Sequence, residues 1–118
     1  MTEDHSFPGG VVLKARREGQ AVVVELSGEI DMSNSVHMRD RILELLQDKP
    51  SACVINMAKV KFIDSSGVAT LVEVLRQCRQ CGCRLRLAEL VERVRNVFDI
   101  CRLETMFQIY GTEAEALS

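Results

Sequence analysis

Apolar runs separated by short polar stretches divide the chain into predicted strands and helices. Residues 11–17 and 21–26 predict a β-hairpin, and the second strand is rich in valine, as expected of a buried strand. Pro8 and the two glycines after it disfavour regular structure. We therefore expect residues 1–10 to form a flexible tail and residues 11–118 to form the domain.

Apolar residues spaced three and four positions apart predict two longer helices, one before Pro50 and one between Ser65 and Gly82. The repeating positions are Met38, Ile42, Leu45 and Leu46 in the first helix, and Val68, Leu71, Val72 and Leu75 in the second. Oxygens of Asp31, Ser33 and Asn34 stand before the first helix, where we expect them to cap its N-terminus.

The remaining segments continue the alternation of strand and helix. Residues 51–58 and 83–89 predict strands, 90–102 a helix, 105–111 a short strand and 112–118 a last helical turn or two. The predicted order is β-β-α-β-α-β-α-β-α. This order indicates an α/β fold with a mixed, largely parallel sheet of four to five strands packed by about four helices.

Composition and charge exclude several classes of protein. The 118 residues suffice for one domain, 47% are apolar and 27% charged, and the net charge of −2 is no electrostatic footprint for nucleic acid. No apolar run approaches the ~20 residues that span a bilayer, and the acidic N-terminus does not resemble a secretory signal. Five cysteines, an odd number, favour reduced thiols. We expect a cytoplasmic protein with no membrane insertion.

Three of the cysteines form the pattern C-x-x-C-x-C at Cys78, Cys81 and Cys83. Thiolates at this spacing can hold zinc or an iron–sulfur cluster. A fourth ligand is not adjacent in the sequence, although Cys53 or Cys101 could approach in the fold. We favour small apolar fillers at the end of the second long helix, and predict no metal and no cofactor.

The segment Asp64-Ser65-Ser66-Gly67 joins a strand-like run to the second long helix. Asp64 or Ser65 is suited to cap that helix. Capping alone does not explain the second serine or a glycine that costs the helix about 0.5–1 kcal/mol, and we expect Gly67 to keep the surface flat for another protein. The chain has two histidines, neither in a position to activate a serine nucleophile, and no glycine-rich loop with Lys-Ser/Thr. We therefore predict a recognised or modified surface and no enzyme activity.

Three stretches carry a resemblance to a known family: LSGEID (26–31), FIDSSGVATLVEVL (62–75) and NVFDICRLETMFQIYGTEAEAL (96–117). Together they resemble the STAS domain, and specifically the single-domain anti-sigma factor antagonists of bacteria. The resemblance implies the STAS fold and a cytoplasmic switch protein. In its unphosphorylated state such a protein binds an anti-sigma factor that is also a serine kinase. Phosphorylation by that kinase ends the binding, and a protein phosphatase resets it.

The resemblance also implies the residues of the switch. Ser65 is the expected phosphoacceptor. The expected partner-binding residues are Asp31, Ser33, Asn34, Asp64, Ser65, Ser66 and Gly67. Two other roles of the family remain open: a cytoplasmic subunit of an ABC-type lipid transport complex, and a partner-switching module for a target other than a sigma factor.

Overall fold

Within the described residues, six strands lie side by side in chain order in one mixed sheet. The computed structural model describes residues 2–118. The strands are β1 (Thr2–Phe7), β2 (Val11–Glu18), β3 (Ala21–Ile30), β4 (Ala52–Ile63), β5 (Arg84–Ala88) and β6 (Gln108–Tyr110). The helices are α1 (Ser35–Leu45), α2 (Ser65–Gln80), α3 (Glu92–Ile100) and α4 (Glu113–Leu117). Strands β1, β2 and β3 pair antiparallel, and β3 to β6 are parallel. The predicted α/β class is confirmed, and so is the predicted order of elements from β2 onward.

Strand β1 is the element that the sequence did not predict. It pairs with β2 from Thr2 opposite Arg16 to Phe7 opposite Val11. Gly9 and Gly10 adopt positive φ angles of 79° and 81° in the turn between the strands. The glycines therefore reverse the chain between two strands, and the prediction that residues 1–10 lack regular structure is wrong for 2–7. Met1 lies outside the described residues. With β1 the sheet has six strands rather than four to five.

The helices cover the two faces of the sheet unequally. Helices α1, α2 and α3 pack their apolar faces onto alternate residues of the strands, and this side holds most of the buried side chains. Short helix α4 lies on the opposite face, where Ala116 and Leu117 contact Val23 and Val54. Among the described residues, no helix is long and apolar enough to cross a bilayer.

The ends of β3 and β4 meet at the carboxyl edge of the sheet. Ile30 and Ile63, the last residues of these strands, are register partners and both are fully buried. Asp31 and Asp64 are the next residues of the chain, so the parallel pairing places two acidic residues side by side. The same pairing places the start of α2 beside the loop that leads into α1.

Candidate functional site

The backbone itself joins the two loops of the site. The N–H of Asp64 donates to the carbonyl oxygen of Ile30 across 3.1 Å, extending the β3–β4 pairing by one bond. The loop before α1 and the first turn of α2 are thereby fixed to one another. The position of Asp31 relative to Ser65 is set by the sheet rather than by mobile side chains.

Asp64 caps α2. Its Oδ1 accepts from the backbone N–H of Gly67 at 3.0 Å and also from the hydroxyl of Ser66. A free first-turn N–H is satisfied in this way, and the carboxylate lies at the positive end of the helix dipole. The sequence left the choice between Asp64 and Ser65, and the structure assigns the cap to Asp64.

The two serines of the segment have different environments. Ser66 is half-buried, donates to Asp64 and lies 3.5 Å from the hydroxyl of Ser35, which donates to it. Ser65 is exposed, and within residues 2–118 its hydroxyl has no hydrogen-bond partner. The hydroxyl of Ser65 is therefore the more accessible of the two.

Gly67 is buried, contrary to the expectation of a flat exposed surface. A Cβ atom at this position would lie 2.6 Å from Cγ1 of Ile63 and 2.8 Å from Cγ2 of Ile30. Gly67 faces the core and allows the first turn of α2 to pack closely on the ends of β3 and β4. Its close packing positions the first turn of α2, which carries Ser65.

The loop before α1 is organised around Asp31. Its Oδ1 accepts from the hydroxyl of Ser33 at 2.6 Å and from the Ser33 N–H at 2.9 Å. These two bonds lower the pKa of the Asp31 carboxyl from its ordinary value, because they favour the charged form. The prediction that side chains of Asp31, Ser33 or Asn34 cap α1 is wrong: Asn34 is the N-cap residue, and its side chain makes no capping bond.

The side chain of Asn34 fixes the backbone of this loop through hydrogen bonds. Its side chain is fully buried, and its Nδ2 donates to the carbonyl oxygens of Pro8 and Glu29 at 3.0 and 3.1 Å. Its Oδ1 accepts from the N–H of Asp31 at 3.0 Å. A buried amide with three such bonds fixes the backbone that presents Asp31. Asn34, like Gly67, thus supports the surface without being part of it.

Two apolar side chains beside the site were missed by the sequence analysis. Met32 is 81% exposed and Val36 47% exposed. Because the hydroxyls of Ser35 and Ser66 lie 3.5 Å apart, the first turns of α1 and α2 are adjacent. Met32 and Val36 therefore belong to the segment next to the one that carries Ser65. The only sequence signal was a methionine in a polar loop. We call the surface formed by Asp31, Met32, Val36, Asp64 and Ser65 the Ser65 face.

An ion pair beside the Ser65 face ties the two helices together. Nη1 of Arg39 in α1 lies 2.8 Å from Oε2 of Glu73 in α2. Both side chains retain contact with solvent, so the pair adds little stability, in the range of about 0–1 kcal/mol. The pair links the solvent-facing sides of α1 and α2.

The cysteines lie away from the Ser65 face, and all five are free thiols. Cys53, Cys78 and Cys83 are buried, and Cys81 and Cys101 are exposed. Burial raises the pKa of the Cys53 thiol, and the hydrogen bond between Cys78 and Cys83 raises the pKa of the first and lowers that of the second. In the described part of the chain, no three cysteine, histidine or acidic side chains are grouped so that they could hold a metal ion.

Fold and site together define a small α/β domain whose distinctive surface is a capped helix start beside an acidic loop. The chain belongs to the STAS domain family, whose family model matches residues 13–116. The resemblance found in the sequence is thereby confirmed.

Several proteins with detectable similarity to this chain are anti-sigma factor antagonists. The anti-sigma-B factor antagonist of Staphylococcus epidermidis is 27% identical over 93 residues, which cover 78% of this chain and 86% of that protein. The crystal structure of an anti-sigma factor antagonist from Mycobacterium paratuberculosis superimposes with a TM-score of 0.81 at 25% identity, covering 96% of each chain.

A second structural relative has been solved in two chemical states. The anti-sigma factor antagonist SpoIIAA in its unphosphorylated form has a TM-score of 0.76 and 25% identity, covering 89% of this chain and 92% of that one. The phosphorylated form of SpoIIAA, from Bacillus, is similar at a TM-score of 0.69 and 24% identity, covering 89% and 96%.

Proposed function

We propose that this protein is an anti-sigma factor antagonist of the cytoplasm. In its unphosphorylated state it binds an anti-sigma factor that has serine kinase activity, and the sigma factor is released. Phosphorylation of Ser65 ends the binding, and a protein phosphatase restores it. The names of the relatives support the role of antagonist, and the two states of SpoIIAA support control by phosphorylation.

The observation that carries the assignment of Ser65 is the contrast between the two adjacent serines. The hydroxyl of Ser66 is engaged with Asp64 and Ser35, so phosphorylating it would remove the bond it donates to Asp64 and place a second negative charge against the capping carboxylate. The exposed hydroxyl of Ser65 is available to a kinase at no such cost. Ser65 is therefore the acceptor that changes the surface without changing the fold.

The proposed switch is electrostatic. A phosphoserine adds about −1.5 to −2 charges at pH 7. At Ser65 this charge joins the carboxylates of Asp31 and Asp64 on one face, beside the apolar side chains of Met32 and Val36. In the free protein, water and the N-terminus of α2 accommodate the charge. In a complex the charge is desolvated next to two like charges, and binding weakens without refolding of the domain.

Kinase activity toward Ser65 is tested by incubating the protein with its candidate anti-sigma factor and ATP. Mass spectrometry of the tryptic peptide 62–76 is expected to show one phosphate on Ser65. Ser65→Ala should abolish the label. Label that persists in Ser65→Ala and disappears in a Ser66→Ala variant would reassign the acceptor.

The electrostatic step is tested separately by binding. Ser65→Asp should bind the anti-sigma factor about a hundredfold more weakly than Ser65→Ala, since like charges brought together in an interface cost several kcal/mol. Ser118→Asp is the matched control, because it adds the same charge at an exposed serine outside the Ser65 face. The enzymatically phosphorylated protein should bind as weakly as Ser65→Asp. If both of these forms bind the anti-sigma factor as tightly as Ser65→Ala does, the mechanism is contradicted.

A further inference from the structure

A cleft of about 440 Å³ lies on the α4 face of the sheet, at the amino ends of β3, β4 and β5. Its floor contains Ala21 and Ala52, which are register partners, and Arg84 is the partner of Ala52 on the next strand. Two small side chains in one row leave a depression in the surface of the sheet. Arg84 and Arg86, two positions apart on β5, stand on the same face and line one wall. Leu117 of α4 lines the cleft as well.

The donors of Arg86 are only partly used. Its Nη1 donates to the carbonyl oxygen of Ala116 at 2.8 Å, which fixes the guanidinium beside the last turn of α4. Its Nε is buried, and within residues 2–118 it has no hydrogen-bond partner. A guanidinium has five N–H donors in a rigid fork, and a buried donor left unpaired costs about 1–3 kcal/mol. Because Nε is enclosed, the unpaired donor of Arg86 that a ligand in the cleft can reach is Nη2, which has no hydrogen-bond partner within residues 2–118.

The positive charge of this wall is not neutralised by nearby acids. Three carboxylates on the same side of the sheet, Glu18, Glu25 and Glu113, lie within ion-pair distance of Arg16. In the described part of the chain neither Arg84 nor Arg86 has an ion-pair partner. The acids of this face are thus gathered around Arg16. Glu18 is one of them and also lines the cleft, but it pairs with Arg16 and forms no ion pair with Arg84 or Arg86.

From this arrangement we propose that the cleft is a binding site for the oxyanion of a small ligand, a phosphate or a carboxylate group. Planar guanidinium groups match such oxyanions through paired, charge-assisted hydrogen bonds. The anion accepts from Arg84 and Arg86, and the two alanines of the floor leave room for the body of the ligand. The volume lies in the range of small-molecule sites.

The cleft and the Ser65 face lie at opposite ends of β4, which starts at Ala52 and ends at Ile63. A ligand in the cleft therefore leaves the Ser65 face open. The proposed site is independent of the proposed antagonist function, and either can fail without the other.

The site is tested by NMR on the full ¹⁵N-labelled chain. Inorganic phosphate and acetate are titrated separately at constant ionic strength, with sodium chloride as balance, because exposed charges also respond to salt. Saturable shifts are expected at the amides of Ala21, Ala52 and Arg84. Saturation by phosphate, by acetate or by both supports the site and identifies the class of oxyanion. Saturation by neither overturns it.

Variants distinguish the cleft from a general response of surface arginines. Arg84→Gln and Arg86→Gln should each raise the dissociation constant of the saturating ion by at least about tenfold, as for the loss of one charge-assisted hydrogen bond. Arg95→Gln, at an exposed arginine of α3, should leave it unchanged. If Arg86→Gln does not fold, Arg84→Gln decides, because the Arg84 side chain is exposed. Equal weakening by Arg95→Gln overturns the proposal.

Discussion

Replacing Gly67 by alanine sets two known effects against each other. Alanine favours a helix over glycine by about 0.5–1 kcal/mol, so propensity alone predicts a more stable protein. The added Cβ, however, would stand 2.6 Å from Cγ1 of Ile63 and 2.8 Å from Cγ2 of Ile30. Carbon atoms prefer separations of about 3.5–4.0 Å, so the overlap is about 1 Å on two side chains that are themselves fully buried.

We expect the cost of the steric overlap to exceed the gain in helix propensity. Overpacking of this kind costs about 1–3 kcal/mol, and subtracting the gain in propensity leaves a net loss of about 1–2 kcal/mol in the free energy of unfolding. Urea denaturation followed by circular dichroism should show a midpoint for Gly67→Ala about 1 M lower than that of the unmodified chain. Gly111→Ala is the control, because its Cβ would meet only Oε1 of Glu115 at 3.4 Å and its φ is not positive. The control should be neutral or slightly stabilised.

A double-mutant cycle locates the cause. Ile63→Ala removes the Cγ1 atom that the new methyl group approaches most closely, at its own cost of about 2–5 kcal/mol. In that background Gly67→Ala should cost less than it does alone, giving a favourable coupling between the two sites. If Gly67→Ala is as stable as the unmodified protein, or if the cycle shows no coupling, then close packing against Ile30 and Ile63 is not the reason for glycine at position 67.

Three other substitutions probe the Ser65 face and its support. Met32→Ala should weaken binding of the anti-sigma factor about tenfold without loss of stability, as measured by calorimetry. Ile100→Ala, at an equally exposed apolar side chain outside this face, should leave the affinity unchanged. Asn34→Ala should lower the free energy of unfolding in urea by about 2–4 kcal/mol, since it removes the three hydrogen bonds of a fully buried amide. Ser33→Ala should raise the pKa of Asp31 toward 3.8 in a ¹³C NMR titration. Because the folded-state pKa is depressed, the stability contributed by this carboxylate is full at neutral pH and is lost as the pH falls through that pKa.

The elements that the sequence predicted are those with a strong local period. The apolar positions of α1 and α2 repeat at helical spacing, and the buried strands are short apolar runs, so their existence followed from neighbouring residues. Strand β1 has no such signal, because an edge strand needs only one partner and can be polar on its exposed side. The Pro-Gly-Gly sequence predicts a turn but gives no information on whether the residues before the turn form a strand.

The supporting residues were assigned to the surface because their partners are distant in the sequence. Gly67 is packed against Ile30, and Asn34 is bonded to Pro8, across turns whose closure the local sequence does not encode. The family resemblance placed Asp31 beside the segment that starts at Asp64, as the pairing of β3 with β4 does. It could not separate the residues that face outward from those that hold them in place.

Burial and hydrogen bonding divide the segment Asp64-Ser65-Ser66-Gly67 into three supports and one free group. Asp64 caps the helix, Ser66 is bonded to that cap and Gly67 packs against the core, so a change at any of the three also alters the bonding or packing of the first turn of α2. The exposed hydroxyl of Ser65 has no hydrogen-bond partner within residues 2–118. The fixed start of α2 means that a phosphate placed there cannot relax by moving the helix. Its charge must be met by the partner, which is why a modification of one side chain is sufficient to control the proposed complex.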